Sequence, residues 1–89
     1  MTTLEMVKNA EKAMNEGFAK KWKLMEKIIA KAEAEGRYYY ERGAKEHTFT
    51  KEENRAIIEI NLENTVLYNT WKNLKNQRAR EMRRARVEG

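Results

Sequence analysis

The chain contains no proline, no serine and no aspartate, and all 14 of its acidic residues are glutamate. Proline ends helices outright, while serine and aspartate favour caps and turns. Glu, Lys, Arg, Ala, Met and Leu instead hold helix interiors. A chain of 89 residues so short of helix-ending chemistry is constrained to run helical over most of its length. The few punctuation marks are glycines and two threonines, and they carry most of the positional information.

Thr2 followed by Glu5 has the form of a capping box. The threonine hydroxyl accepts from an unsatisfied amide of the first turn, and the glutamate reaches back to the cap amide. Beyond it, Leu4, Val7, Met14, Phe18, Trp22, Met25, Ile29 and Ala32 recur at helical spacing, with Ala10 and Ile28 widening the stripe. The stripe keeps its register across Gly17. One helix over about residues 3–35 is therefore expected, with Gly36 as its end. Residues 36–50 read as a connection, into which helix can fray as far as Gly43. Thr50-Lys51-Glu52-Glu53 is a second capping box and opens a helix over about residues 51–87.

The second helix has a main stripe of Ile57, Ile60, Leu67, Tyr68, Trp71 and Leu74. It also has a second strip, Ile58, Leu62 and Val66, on a different part of its circumference. One partner helix covers only one of these. The expected architecture is therefore all-α: a single domain built as an antiparallel hairpin of two long helices. The extra strip is then either buried by dimerisation into a four-helix bundle or presented as a protein interface.

Cysteine is absent, which removes disulfides and thiolate metal sites. No apolar run approaches the length of a membrane span, and residues 1–15 lack a signal-peptide core. A soluble, cytoplasmic protein with no membrane partner is expected. Catalysis is not expected either. There is no Ser, Cys or Asp, no glycine-rich phosphate loop and no metal-ligand spacing, so no cofactor and no small-molecule substrate is foreseen. His47 beside Glu46 makes neither a metal site nor a catalytic dyad, and reads as a loop residue in solvent. Glu59 and Glu63, one turn apart, read as facing solvent or pairing with Arg55.

The net charge of +5 is unevenly placed. Residues 1–71 hold 12 Lys/Arg and 12 Glu, whereas residues 72–89 hold seven basic residues against Glu81 and Glu88. The basic arm, residues 72–86, comprises Lys72, Lys75, Arg78, Arg80, Arg83, Arg84 and Arg86, spread widely around the helical wheel. Cations placed this way suit a helix with phosphates on both flanks, and guanidinium forks bind phosphate bidentately. Asn76 and Gln77 add amides able to read base edges. The segment Lys72–Arg86 resembles, in its arginine density, the arginine-rich helical peptides of phage antitermination proteins. That resemblance implies hairpin-RNA binding.

The functional expectation is a small regulatory protein whose arm binds nucleic acid, RNA ahead of duplex DNA. The alternative is an adaptor or inhibitor of the kind phages and mobile elements encode. It would grip an acidic protein through Ile58, Leu62 and Val66, with the arm steering association. Tyr38, Tyr39 and Tyr40, beside Arg37 and Arg42, cap the open end of the hairpin core, stack on unpaired bases or form part of a protein interface. The stretch Phe18–Lys31, with five lysines around Trp22, has the pattern of a membrane-surface or calmodulin-type helix, but its apolar residues are expected to be used as core.

Overall fold

The computed structural model describes residues 1–88, with side chains through Arg86. The order of elements is α1 (Thr3–Ala34), β1 (Tyr38–Glu41), β2 (Ala44–His47) and α2 (Lys51–Glu88). The two helices pack antiparallel: Thr3 reaches Glu81, Lys20 reaches Glu63, and Gly17 lies against Asn64. The hairpin of two long helices expected from the sequence is the architecture observed. No helix is long and apolar enough to cross a membrane.

The helix ends follow their local chemistry. The Thr2 hydroxyl accepts from the Glu5 amide at 3.2 Å. At Thr50 the box is reciprocal: the hydroxyl accepts from the Glu53 amide at 3.1 Å, and the Glu53 carboxylate accepts from the Thr50 amide at 2.9 Å. α1 closes with a Schellman turn. Gly36 adopts φ +70°, the Arg37 amide donates to Ala32 O at 2.8 Å, and the Gly36 amide donates to Glu33 O at 3.1 Å.

The connection differs from the expectation. Residues 38–47 do not fray from helix; they form a β-hairpin pairing Tyr38 with His47, Tyr39 with Glu46, Tyr40 with Lys45 and Glu41 with Ala44. Three consecutive tyrosines favour an extended, pleated backbone. Arg42 and Gly43 both take positive φ, 52° and 81°, as a two-residue type I′ turn requires.

The seam between the helices keeps a strict seven-residue repeat. On α1 the repeat runs through Thr3, Val7, Ala10, Met14, Gly17, Lys21, Leu24 and Ile28, with Ala13, Met25, Ile29 and Ala32 also buried or half-buried. On α2 it runs through Glu53, Ile57, Ile60, Asn64, Leu67, Trp71, Leu74 and Arg78, with Ala56 also half-buried. Alternating steps of four and three average 3.5 residues, the repeat of helices that stay in contact over many turns. This register corrects the apolar stripe. Leu4, Phe18 and Trp22 lie outside the seam of α1, and Tyr68 lies outside that of α2; all four are exposed, Trp22 by 68%. Choosing the most apolar residue at each turn drifts off a 3.5 repeat, because the repeat itself places Gly17, Lys21 and Asn64 inward.

Gly17 marks the closest approach. A Cβ there would stand 2.5 Å from Asn64 Oδ1 and 2.9 Å from Leu67 Cδ1, so this glycine lets the helices meet rather than merely interrupting α1. The interior is thin. Among the described residues only Ile28, Ala32 and Ile60 are buried apolar residues, and no large side chain is fully enclosed. The molecule measures 64 × 29 × 17 Å.

Candidate nucleic-acid interface

The basic arm is the distal part of α2, and the structure divides it in two. Up to Glu81 it lies alongside the first turns of α1, with Leu74 and Arg78 half-buried in the seam and the Thr3 hydroxyl donating to Glu81 Oε1 at 3.1 Å. From Met82 to Glu88 the helix runs on past α1, a projection of about 10 Å at 1.5 Å per residue. Arg83, Arg84 and Arg86 stand on this projection and are exposed; Arg80 is exposed one turn earlier. Lys72 and Lys75 are exposed at the base of the arm, where Lys75 Nζ sits 4.7 Å from the centre of the Trp71 ring. Asn76 is exposed, and the Gln77 amide donates to Glu81 Oε1 at 3.2 Å.

Among the described residues, no carboxylate pairs with any of the seven arm cations. The ion pairs lie elsewhere: Lys20–Glu63, Arg37–Glu35, Arg37–Glu53, Lys45–Glu33 and His47–Glu33. Glu59 and Glu63 are exposed, as one of the two expected readings had it, and Glu63 pairs across the seam with Lys20 at 3.8 Å.

The turn end is organised oppositely. The Arg37 guanidinium donates to both Glu53 oxygens, to Glu35 and to the Thr48 carbonyl, so one side chain joins α1, the β-hairpin and the start of α2. Arg37 and the Thr50 amide hold the Glu53 carboxyl down to about 2, and Glu53, then Glu35, raise Arg37 above its ordinary value. Hydrogen bonds first from Lys45 and then from His47 lower Glu33. His47 is therefore not a solvent residue. It is sheltered, lies 3.0 Å from Glu33 and stacks on Phe49, tying β2 to the end of α1.

The tyrosines form β1 and are all exposed. Tyr38 and Tyr40 share one face of the hairpin in an edge-to-face pair at 6.2 Å, with Lys45 Nζ 4.2 Å above the Tyr38 ring. Tyr39 occupies the opposite face. Ile58, Leu62 and Val66 run along α2 with 58, 62 and 64% of their surface exposed. The arm, the strip and the tyrosines are therefore separate features, not one convergent site.

The signals missed by sequence reading were Asn64 and Arg37. Asn64 is 7% exposed, and its Nδ2 has no partner among the described residues. A polar residue at a seam position of a strict heptad could have identified it. Arg37, immediately after a glycine cap, gave no comparable signal.

No protein-family model matches the chain, and neither a curated protein nor a solved structure is similar to it.

Proposed function

We propose that this is a non-enzymatic nucleic-acid-binding protein of regulatory character that acts in the cytoplasm, and that the distal turns of α2 are its binding element. One observation carries the reading: seven basic side chains lie between Lys72 and Arg86, and no described carboxylate engages them, while Arg37 and Lys45 at the turn end are held in ion pairs. Because the inner side of the arm rests on α1 as far as Glu81, only its outer side can meet phosphates there. Beyond Met82 more of the circumference is open. Arg80, Arg83, Arg84 and Arg86 form the main phosphate contacts, Lys72 and Lys75 extend them, and Asn76 supplies base reading. Gln77 is partly committed to Glu81. A short projecting cationic helix suits a structured RNA, whose bulges and loops open the groove to it, ahead of regular duplex DNA.

A second reading has its own observation. The exposed strip Ile58, Leu62 and Val66 could anchor an acidic protein, with the arm steering its approach.

The test is fluorescence anisotropy of labelled hairpin RNA, single-stranded RNA and duplex DNA with the full chain. A variant carrying Arg80→Gln, Arg83→Gln, Arg84→Gln and Arg86→Gln retains helix propensity and loses the charge. Strong binding with a steep negative salt dependence is expected, and the variant should flatten the slope by about three to four. Binding no tighter than the weak non-specific level at physiological salt removes the nucleic-acid reading. Capture of an acidic partner that Leu62→Glu abolishes would then support the second one.

A further inference from the structure

The two flanks of the helical hairpin differ, and one of them is built to be covered. In an antiparallel pair, seam geometry places Lys20, Lys27, Glu59 and Glu63 on one flank and Phe18, Trp22, Asn61 and Tyr68 on the other. The assignment agrees with the surface relief. One depression is lined by Lys20, Leu24, Ala56, Glu59, Ile60 and Glu63, and another by Phe18, Lys21, Asn61, Asn64, Thr65 and Tyr68. Trp22, one turn beyond Phe18, extends the apolar flank with most of its indole exposed. Asn64 lies at the floor of that flank, more than nine-tenths buried, with its Nδ2 donor unpartnered among the described residues.

The amount of surface identifies what covers it. A compact folded chain of 10.6 kDa exposes about 5,500 Å² and has a radius of gyration of about 12 Å. This chain exposes 7298 Å², with a radius of 19.4 Å. The excess, roughly 1,800 Å², exceeds the ~800 Å² that each partner contributes to a stable interface. With only three buried apolar residues among those described, a single hairpin lacks the core that a second copy would supply by packing flank against flank.

Charge then fixes the orientation. Residues 33–53 hold six glutamates against four Lys/Arg, whereas residues 72–86 hold seven Lys/Arg against Glu81. Parallel packing would place two cationic arms side by side; antiparallel packing places each arm near the partner's glutamate-rich turn end. We infer that two copies associate antiparallel through the Phe18–Trp22–Tyr68 flank into a four-helix bundle. The bundle presents one basic arm at each end and leaves Leu62 and Val66 on the outer side of α2. The inference stands whether or not the arms bind nucleic acid.

Sedimentation equilibrium of the full chain at tens of micromolar should give twice the monomer mass of 10.6 kDa. Trp22→Glu, at an exposed position, should preserve helical circular dichroism and weaken association by on the order of a hundredfold. Leu62→Glu should leave it unchanged. A spin label on Arg86→Cys, in a chain with no other cysteine, should report a separation comparable to the 64 Å length rather than the 29 Å width. A monomer at all concentrations overturns the proposal, as does a dimer that survives Trp22→Glu or dissociates on Leu62→Glu. A short label distance overturns the antiparallel arrangement.

Discussion

The two ends of this molecule spend the same residue type in opposite ways. At the turn end Arg37 makes four hydrogen bonds, each to a group that another element needs held in place. At the arm end five arginines stand within nine residues, and none meets a described carboxylate. Arginine at the turn end acts as a joint: it links α1, the β-hairpin and α2 close to the buried Ala32. At the arm end it adds charge without adding joints. Charge density therefore does not distinguish a structural cation from a binding one; what lies opposite the guanidinium does.

A double dissociation separates the two ends. Arg83→Gln with Arg84→Gln should reduce affinity for hairpin RNA by roughly tenfold per arginine and lower the salt slope by about two. Its thermal unfolding should match the parent. Arg37→Gln should do the reverse, lowering the Tm while leaving the salt slope intact. If both variants lose binding equally, the turn end belongs to the binding surface and the contrast between the ends fails.

Between the ends lies the crossing at Gly17. Gly17→Leu would drive its side chain into Asn64 and Leu67 at a position with no space for a Cβ. The helices must separate or both neighbours must repack, at a cost of about 2–3 kcal/mol in chemical denaturation. Gain of stability through better helix propensity would show that the close approach does not constrain the seam. Either end can be altered without moving this point, so the substitution also tests whether the ends are coupled.

Much of the fold was legible because its signals are local. Thr50 and Glu53 bond each other within one turn, Gly36 needs only its own φ, and the strip Ile58, Leu62 and Val66 follows from helical spacing. The failures share a cause in what lies across the seam. Trp22 looked like core because it is large and apolar, but its burial depends on the 3.5 repeat shared with α2. That repeat brings in Lys21 and Asn64 instead. His47 looked solvated because Glu33, its partner, is 14 residues away and on another element. The arm's composition was legible; its packing against α1 up to Glu81 was not, because Thr3 and Glu81 are 78 residues apart.

Acid sharpens the contrast further. Glu53, held at about 2 by Arg37 and the Thr50 amide, has a folded pKa below its ordinary value of 4.5. A depressed carboxyl contributes its stabilisation above the unfolded pKa and loses it as the pH falls through the folded one. The parent should therefore lose stability between about pH 4.5 and pH 2. Glu53→Gln should be less stable at neutral pH and shed less stability over the same interval, so that the two unfolding curves converge near pH 2. A parallel offset between parent and Glu53→Gln at every pH would show that the ion pair with Arg37 does not hold the turn.

The smallest expected effect concerns the hairpin's tip. Arg42 is the one described non-glycine residue with positive φ, and that conformation brings its Cβ close to the following carbonyl. Asparagine tolerates the same region and is the preferred residue before glycine in a type I′ turn. Arg42→Asn should accordingly stabilise the protein by about 0.5–1 kcal/mol and slow amide exchange at Thr48, whose N–H closes the hairpin on Arg37 O at 2.9 Å. The comparison between the ends gives this small number its use. If the turn end is purely structural, relieving the strain at Arg42 improves stability and leaves RNA affinity where it was. If affinity falls while stability rises, Arg42 is held in an unfavourable conformation to present its charge beside Tyr39 and Tyr40. The turn end would then bind as well as brace.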